Sequence, residues 1–340
     1  MDDMIATSSQ LNVLEICAGA GGQSVGLEKA GFGHSLAVEI DIDAAATLRL
    51  NRPDWDVHQG DVREISGNGY KGVDLLAGGV PCPPFSIAGK QLGADDERDL
   101  FPEALRLVRE ASPSAVLLEN VRGLASARFT PYRQSILGAL DKLGYDADWQ
   151  LFNSSEFGVP QLRPRFILVA MKRRHFRKFA WPSAQGTPPS VGKILLPLMK
   201  SGGWPGAEAW AARANYIAPT VVGGSKKHGG ADLGPTRAKA AWLQLGVDGK
   251  GIANEVPGPD TPHDHVPRLT NEMVARVQGF PPEWQFAGRK TSVYRQIGNA
   301  FPPPVACAIG TSIAHALGVK SRPAKVGIDL LDSQLLQAVS

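Results

Sequence analysis

Cys82 has the surroundings of a nucleophilic cysteine. It lies in the segment GGVPCPPFS, residues 78–86, directly after an apolar run that is typical of a buried strand. Proline flanks it on both sides, which disfavours regular secondary structure, so we expect the thiol to lie on a loop. A thiolate is a strong soft nucleophile, although a lone cysteine is more often an inert core residue. The two proline neighbours make a catalytic role about as well supported as a structural one.

Three charged residues lie at the ends of apolar segments. Glu119 follows the apolar residues of LLENV, 117–121, and a carboxylate on a buried strand is costly unless it is paired or used. Arg163 and Arg165 lie in GVPQLRPR, just before another strand-like run. Surface salt bridges explain the two arginines equally well at this point, so the residues alone leave their role open.

The segment AGAGG, residues 18–22, has the composition of a ligand-binding turn. Its glycines follow a strand and precede a helix, where a ligand can approach the backbone and negative charge is favoured. The dinucleotide fingerprint requires glycine where Ser24 stands, so a pyrophosphate site is not supported. Glu39 and Asp61 follow the next two predicted strands, and a carboxylate about 20 residues on can bind a ribose diol. These residues favour an adenosine-containing ligand over a plain turn with two surface carboxylates.

The elements that must position these residues alternate between strands and helices. The predicted strands are Leu11–Cys17, Ser35–Glu39, Trp55–His58, Val73–Ala77, Ala115–Leu118, Trp149–Phe152 and Phe166–Met171. The predicted helices between them are Ser24–Ala30, Ile42–Leu50, Leu100–Glu110 and Tyr132–Leu143. Such alternation predicts an α/β fold with a doubly wound, mostly parallel sheet. Ligands bind such sheets at the carboxyl ends of the strands, where the residues of interest fall.

The second half of the chain differs in composition and periodicity. Residues 182–265 are rich in glycine and proline without clear periodicity, which predicts a smaller, loop-rich second domain. Residues 268–280 form a predicted helix with Thr270 as its N-cap, and residues 292–317 a turn that leads into a buried helix. We therefore divide the chain into a catalytic and cofactor-binding domain (1–181), the loop-rich domain (182–265), a segment that returns to the catalytic domain (266–318) and a tail without an assigned role (319–340).

Composition sets broad limits on the class of protein. The 340 residues are 43% hydrophobic, which is enough for a sizeable core, and three cysteines without C-x-x-C spacing argue against a disulfide framework or a structural zinc site. The acidic N-terminus does not resemble a signal peptide, and no segment clearly suits a membrane span. We expect a cytoplasmic protein. A net charge of +3 permits nucleic-acid binding but is weak support for it.

These segments, in this order, resemble the successive motifs of the DNA cytosine-5 methyltransferase family from Leu11 to Leu317. The matching segments are AGAGG, VEID, GDV, GGVPCPPFS, ENV, QLRPR, RLTNEMVARVQGFP and QIGNA. GGVPCPPFS, ENV and Q-x-R-x-R in succession are highly specific, whereas AGAGG alone is weak. The resemblance implies S-adenosylmethionine as cofactor, the Rossmann-like sheet of the enzymes that use it, and double-stranded DNA as substrate.

The resemblance also implies a mechanism. Cys82 attacks carbon 6 of a cytosine flipped out of the duplex, while Glu119 hydrogen-bonds ring nitrogen 3 and the exocyclic amine. Arg165 contacts the cytosine carbonyl, Arg163 supports the loop that carries Cys82, and Asn120 orients that loop. Carbon 5 then takes the methyl group, and loss of its proton expels Cys82.

Further contacts implied by the resemblance form two sets. The cofactor set is Cys17, Ala18, Gly19, Gly21, Gly22, Glu39, Ile40, Asp61, Val62, Pro81, Leu100 and Asn299. The DNA set is Ser86, Lys226, Lys227, His228, Arg237 and Lys239. Residues 182–265 occupy the place of the family's target recognition domain, and 86–99 resemble its loop that closes over DNA. We also expect a monomer that binds no metal and is associated with the nucleoid through DNA. A cognate restriction endonuclease is expected to act separately.

Two departures from the family pattern and three rival functions stay open. Family members often have phenylalanine where Cys17 stands and an aromatic residue where Ile40 stands, so cofactor stacking is reduced here. The rivals are a methyltransferase acting on an exocyclic amine, a tRNA cytosine-5 methyltransferase of the same fold, and a non-catalytic DNA-binding relative. The thiol in C-P-P-F disfavours methylation of an exocyclic amine. The length of 182–265 disfavours a tRNA methyltransferase, and the complete set of catalytic residues disfavours a non-catalytic relative.

Overall fold

One mixed sheet organises the chain. The computed structural model describes residues 11–81, 99–224 and 230–319. Within them the strands are β1 Leu11–Ile16, β2 Phe32–Glu39, β3 Val57–Gln59, β4 Leu75–Gly78, β5 Ala115–Val121, β6 Tyr145–Asn153 and β7 Pro164–Lys172. Their order across the sheet is β3-β2-β1-β4-β5-β7-β6. Strands β1 to β5 pair in parallel, and β7 runs antiparallel to both of its neighbours. The predicted mostly parallel sheet is confirmed.

Helices cover both faces of this sheet. They are α1 Gly22–Lys29, α2 Ile42–Asn51, α3 Phe101–Ala111, α4 Thr130–Lys142, α5 Arg173–Phe176, α6 Val191–Ser201, α7 Ala207–Arg213, α8 Thr236–Gln244, α9 Asn271–Gln278, α10 Lys290–Asn299 and α11 Pro303–Leu317. Successive strand side chains point to opposite faces. Val13 accordingly packs with α1 and α11 in one buried cluster, and Leu14 packs with α3 and α4 in another. In the described part of the chain, no helix combines the length and apolar character that a membrane crossing requires.

The second half contains helices that the sequence did not predict. Residues 292–317, predicted as a turn that leads into a buried helix, form two helices, α10 and α11, with the turn between them. The segment 182–265 contains the helices α6, α7 and α8, although most of its described residues lie outside helices, as expected. The predicted N-cap at Thr270 is confirmed, because its hydroxyl accepts a hydrogen bond from the amide of Met273 at 3.2 Å.

The helices of the predicted second domain share one hydrophobic core with the returning segment. Leu195 of α6, Trp210 of α7 and Trp242 of α8 are buried in the same cluster as Met273 of α9 and Ile297 of α10. The cofactor-side residues Ala18 and Leu48 reach this cluster as well. The elements after residue 265 thus pack against both halves of the chain, and the boundaries of the predicted domains stay a prediction.

A buried acid–histidine pair joins the first two strands. Glu15 Oε2 lies 2.7 Å from His34 Nε2, and both side chains are fully buried. The imidazole also stacks on Trp55, with ring centroids 3.8 Å apart. Glu15 Oε1 and His34 Nδ1 have no hydrogen-bond partner. Each of these two buried polar side chains therefore depends on this one hydrogen bond for a partner.

Replacing Glu15 by leucine is expected to lower the free energy of unfolding by about 1–3 kcal/mol, because it leaves a buried imidazole nitrogen unpartnered. Urea denaturation of the parent and the variant measures this loss. Glu15→Gln is the matched control, since an amide can still hydrogen-bond Nε2 and should cost less. Equal losses in the two variants would contradict the role of the hydrogen bond.

Candidate active site

A single cavity opens at the carboxyl ends of the parallel strands. Its volume is about 580 Å³, and its wall includes Cys17 after β1, Glu39 at the end of β2, Asp61 after β3 and Gly79 after β4. Helix α10, with residues such as Asn299, and the connection to α11, with Phe301, also line it. Doubly wound sheets bind ligands in this place, and the volume suits a small-molecule ligand.

The turn after β1 has backbone conformations that favour glycine. Gly19 has φ +57° with no atom within 4 Å of the position that a Cβ would take, so this side of the turn is open. Gly21 has φ +87°, and a Cβ there would lie 2.5 Å from the ring of Trp284. At Gly22 a Cβ would lie 2.4 Å from the carbonyl oxygen of Phe301. The turn is therefore narrow and packed on one side and open to a ligand on the other.

Glu39 is held by the turn that it faces. Its Oε2 accepts a hydrogen bond from the amide of Gly19 at 2.7 Å, and its Oε1 accepts one from the amide of Asp41 at 2.8 Å. Burial raises the pKa of this carboxyl, although the two amides oppose the shift. Asp61 caps the short helical turn after β3 and pairs with Arg63 at 2.9 Å. Each carboxylate oxygen can accept more than one hydrogen bond, so both acids keep capacity for ligand hydroxyls.

Cys17 lies on the cavity wall in a left-handed conformation, with φ 50°. Removal of the thiol from water raises its pKa to about 12, and the carboxylates of Glu39 and Asp61 add to the shift. Ile40, the other departure from the family pattern, also lines the cavity and is 67% exposed. The cavity thus has a small neutral side chain and an exposed aliphatic one where the family often has aromatic rings.

Cys17 is expected to resist alkylation, because a pKa near 12 leaves roughly one thiol in ten thousand ionised at pH 8. Iodoacetamide labelling followed by mass spectrometry should find Cys17 unmodified in the folded protein between pH 7 and 9. The urea-unfolded protein serves as the control and should label at all three cysteines. Rapid labelling of Cys17 at pH 7 in the folded chain would contradict the raised pKa.

A buried ion pair borders the same cavity. Glu119 lines it, and Oε1 of Glu119 lies 2.5 Å from Nε of Arg165. The two residues are adjacent because β5 and β7 pair antiparallel, with Glu119 opposite Ile167 and Arg165 opposite Val121. Glu119 is 9% exposed and Arg165 is 8% exposed. Burial lowers the pKa of Arg165, and the Glu119 carboxylate opposes that effect. A carboxylate positioned in this way can hydrogen-bond a bound ring.

Asn120 and Arg163 are both buried, but they contact different parts of the fold. The Asn120 amide donates a hydrogen bond to the carbonyl of Val80 at 2.8 Å, two residues before Cys82. Arg163 is 1% exposed and donates to the carbonyls of Val221, Gly298 and Ala300. These contacts support the loop-orienting role predicted for Asn120. The contacts of Arg163 in the described residues hold the later part of the chain.

The remaining predicted residues divide by whether they line the cavity. Every member of the predicted cofactor set lines it except Gly21, which shapes the turn from behind. Cys82, Ser86, Lys226, Lys227 and His228 lie outside the described residues. Arg237 is exposed on α8, and Lys239 Nζ pairs with Asp232 Oδ2 at 2.8 Å. Part of the hydrogen-bonding capacity of Lys239 is thus used within the protein, and its predicted DNA contact stays a prediction.

Comparisons with known proteins agree with this geometry. The model of the family described as C-5 cytosine-specific DNA methylase matches residues 11–315. The chain belongs to this family. Among curated relatives, the Type II methyltransferase M.NaeI of Lentzea aerocolonigenes is 58% identical over 97% of this chain and 81% of its own length. The Type II methyltransferase M.NgoMIV of Neisseria gonorrhoeae is 52% identical over 91% of this chain and 98% of its own length. The protein is therefore a DNA cytosine methyltransferase.

Solved structures extend the likeness of this methylase. A DNA modification methyltransferase encoded within an E. coli prophage superposes with a TM-score of 0.63 at 25% identity, covering 91% of this chain and all of that one. Spodoptera frugiperda DNMT2 superposes with the same TM-score at 18% identity, covering 89% of this chain and 99% of that one. The second likeness concerns the fold alone, and both bear out the mixed sheet.

Several cavity residues of the methylase escaped the sequence analysis. They are Ala20, Gln23, Val38, Asp41, Ala44, Gly60, Arg63, Gly79, Ser292, Arg295, Gln296, Ala300 and Phe301. Most lie inside the matching motif segments or directly beside them, so they could have been found by considering every position of each motif. Ser292 and Arg295 required the assignment of 292–299 as a helix, since they share a face with Asn299. The described residues contain no group of three or more metal-ligating side chains.

Trp284 is a positioning residue that the sequence analysis did not single out. Its indole nitrogen donates a hydrogen bond to the carbonyl of Ala20 at 3.0 Å, and its ring fills the space beside Gly21. Arg52 lies over the ring, with Cζ 5.2 Å from its centroid. The loop after α9 thus fixes the glycine-rich turn from behind.

Trp284→Phe is expected to weaken binding of S-adenosylhomocysteine by about threefold to tenfold, because the turn loses one hydrogen bond worth about 0.5–1.5 kcal/mol. Isothermal titration calorimetry of parent and variant measures the effect. Trp242→Phe provides the matched control, since the buried indole nitrogen of Trp242 has no hydrogen-bond partner to lose. The prediction is wrong if both substitutions change the affinity equally.

Proposed function

We propose that this methylase transfers a methyl group from S-adenosylmethionine to carbon 5 of a cytosine flipped out of a specific double-stranded DNA sequence. One observation carries the proposal: Glu119 and the predicted cofactor residues Gly19 and Glu39 line the same cavity. A methyl donor bound at the turn therefore lies in the same enclosure as the carboxylate that would hold the target base. Methyl transfer requires the reacting carbon atoms to approach closely, and a continuous cavity permits this.

The cavity fits the proposed cofactor. Its open side at Gly19 leaves room for a ligand against the backbone, and the start of α1 at Gly22 presents free amides. Glu39 is fixed by backbone amides at the end of β2, where it can accept hydrogen bonds from ribose hydroxyls. Leu100 and Val62 supply apolar surface for a purine ring. When bound, S-adenosylmethionine supplies the methyl group that carbon 5 takes up.

Residues of this chain carry out the reaction steps on the cytosine ring. The Cys82 thiolate forms a bond to carbon 6, and the electron pair of the carbon 5–carbon 6 double bond moves onto the ring. Glu119 shares a proton with nitrogen 3, which neutralises that charge, and it accepts a hydrogen bond from the exocyclic amine; Arg165 contacts the carbonyl of the ring. After methylation, loss of the carbon 5 proton restores the double bond and breaks the sulfur–carbon bond. Cys82 is thereby regenerated as a thiolate.

The experiment that tests this function is methyl transfer from tritiated S-adenosylmethionine to duplex DNA, with bisulfite sequencing of the product. Label in DNA, together with cytosines protected from conversion within one repeated sequence, is the expected result. The sequencing also identifies the recognised site. A folded protein that binds S-adenosylhomocysteine and labels RNA, but does not label DNA, would contradict the proposal and indicate an RNA substrate.

We further propose that residues 182–265 recognise the DNA sequence and that the methylase acts as a monomer in a restriction-modification system. The relatives named Type II methyltransferases support the second part. A cognate endonuclease acting separately should then cleave the same sequence only when it is unmethylated. Cleavage of unmethylated but not methylated plasmid by an extract of the source organism checks this. Analytical ultracentrifugation with the duplex gives the stoichiometry.

A further inference from the structure

A closed ring of buried and partly buried hydrogen bonds joins the predicted recognition segment to the wall of the cavity. Both sides of Val221 are bound: its amide donates to Gln161 Oε1 at 2.8 Å, and its carbonyl accepts from Arg163 Nη1 at 2.6 Å. The Gln161 amide donates to Gln278 Oε1 at 2.7 Å, and the Gln278 amide donates to the carbonyl of Ala300 at 2.7 Å. Arg163 Nη2 closes the ring on the same carbonyl at 2.9 Å.

The side chains of this ring are deeply buried. Gln161 and Gln278 are fully buried, and Arg163 is 1% exposed. Burial lowers the pKa of Arg163 well below its ordinary value. Both glutamine side chains and the two terminal nitrogens of Arg163 have partners, whereas Nε of Arg163 has none among the described residues. The satisfied hydrogen bonds hold their buried groups in place, because every lost one leaves a costly unpaired group. The ring therefore fixes the relative positions of the backbone segments that it joins.

The two segments that the ring joins also touch directly. A Cβ at Gly298 would lie 2.5 Å from the Cα of Gly223, and a Cβ at Gly223 would lie 2.6 Å from Oδ1 of Asn299. The Asn299 amide donates to the carbonyl of Gly224 at 3.2 Å. Arg163 binds the carbonyls of Gly298 and Ala300, on both sides of Asn299. Asn299, a cavity residue, is thus held between the ring and residues 223–224.

We propose that Gln161, Arg163 and Gln278 are positioning residues through which occupation of the cavity and binding of DNA strengthen each other. This inference rests on the proposed function, because it requires a cofactor in the cavity and DNA on the segment that contains Val221. A ligand that orders Asn299 and Ala300 also orders residues 221–224, since the ring permits no independent displacement. Coupling between two sites is reciprocal, so DNA held by that segment strengthens cofactor binding by the same factor.

The test uses Gln278→Met in the full chain. Methionine nearly preserves the volume of Gln278 but removes its two hydrogen bonds, to the Gln161 amide and to the carbonyl of Ala300. The partners stay satisfied, because the Gln161 amide still donates to the carbonyl of Val277 and the Ala300 carbonyl still accepts from Arg163. The affinity for a duplex carrying the site found by bisulfite sequencing is measured with and without saturating S-adenosylhomocysteine. The ratio of the two dissociation constants is the linkage factor.

The parent should have a linkage factor of about fivefold or more. Gln278→Met should lower this factor by about twofold or more, with each separate affinity changed about twofold at most, because Arg163 and Asn299 still join the two segments. Tyr145→Phe is the control. It removes a buried hydrogen bond of 2.6 Å to the carbonyl of Pro113, outside the ring. This control should keep the full linkage factor, so that loss of stability alone does not explain the result. A second readout is hydrogen exchange of amides 216–224, which should slow on addition of S-adenosylhomocysteine in the parent and slow less in Gln278→Met.

The outcomes separate the two proposals. A parent that binds both ligands without linkage, or a Gln278→Met variant that keeps the linkage factor and the slowed exchange, overturns the coupling and leaves the proposed function standing. A folded parent that binds neither S-adenosylhomocysteine nor the duplex overturns the proposed function and the coupling together. Should Gln278→Met fail to fold, hydrogen exchange of the parent decides, because unchanged exchange at 216–224 contradicts the coupling.

Discussion

Cys82→Ala is expected to lose methyl transfer to DNA by roughly 10⁴-fold or more. Carbon 5 of cytosine is a weak nucleophile until a bond to carbon 6 places an electron pair at that position. Alanine cannot form this bond, and none of the described side chains at the cavity offers a thiolate, since the pKa of Cys17 is raised to about 12. Incorporation of tritium from labelled S-adenosylmethionine measures the loss.

Two controls distinguish a lost nucleophile from a damaged fold. Cys307→Ala removes another thiol, 1% exposed in α11 and outside the cavity, and should keep transfer within a few-fold of the parent. Cys82→Ala itself should still bind S-adenosylhomocysteine, because the cofactor residues on β1 and β2 are unchanged. Transfer within tenfold of the parent in this variant would contradict the nucleophilic role.

Covalent trapping tests the same step directly. In a duplex with 5-fluorocytosine at the target position, carbon 5 carries fluorine instead of the proton that normally leaves. Elimination therefore stops, and the parent should remain attached to the duplex through denaturing electrophoresis. Cys82→Ala should show no such attachment. An adduct that survives in the variant would assign the nucleophile to another residue.

The sequence predicted the catalytic half of the molecule well because its signals are local. Apolar runs of four to eight residues alternate with helical patterns, and the polar motif residues follow the strands directly. Glu39, Asp61 and Glu119 therefore fall at one edge of the sheet as soon as the strands are parallel. The observed strands differ from the predicted ones mainly at their ends, as at β2, which begins at Phe32 instead of Ser35.

Several helices in the second half were missed, and two of them have weak start signals. Helix α10 begins after Arg289 and α8 after Pro235, and neither has a side-chain N-cap hydrogen bond. Helix α6 contains Pro197, which in sequence indicates a break. Tertiary packing stabilises these helices instead, since Trp242 of α8 and Ile297 of α10 lie in one buried cluster. Such packing cannot be inferred from local sequence patterns.

The contacts of the two motif arginines mark the limit of sequence reasoning. Arg165 and Glu119 meet because β7 inserts beside β5, a topology that spacing alone does not reveal. Arg163 reaches carbonyls 58 and 137 residues away, at Val221 and Ala300. The Q-x-R-x-R pattern identified the side chains, whereas their separate tasks, one at the cavity and one between segments, required the three-dimensional arrangement.

Glu119→Gln is expected to lower the rate of methyl transfer by about 10²–10³-fold, the usual effect of removing one group that stabilises developing charge. The amide can still hydrogen-bond the flipped cytosine, but it has no acidic proton to share with nitrogen 3 when the attack places an electron pair on the ring. Single-turnover kinetics with saturating duplex isolate this chemical step from binding. The duplex affinity, measured separately, should change much less than the rate.

The pairing of Glu119 with Arg165 makes the control for this substitution important. Arg165 is buried and loses its ionic partner at 2.5 Å, so part of any effect could arise from a displaced guanidinium. Glu103→Gln weakens a partly exposed pair with Arg106 on α3 and should leave the rate unchanged. If the Glu119→Gln variant lost duplex affinity and rate by the same factor, Glu119 would hold Arg165 in place and not act on the base. A loss confined to the single-turnover rate assigns Glu119 to the transition state for methyl transfer.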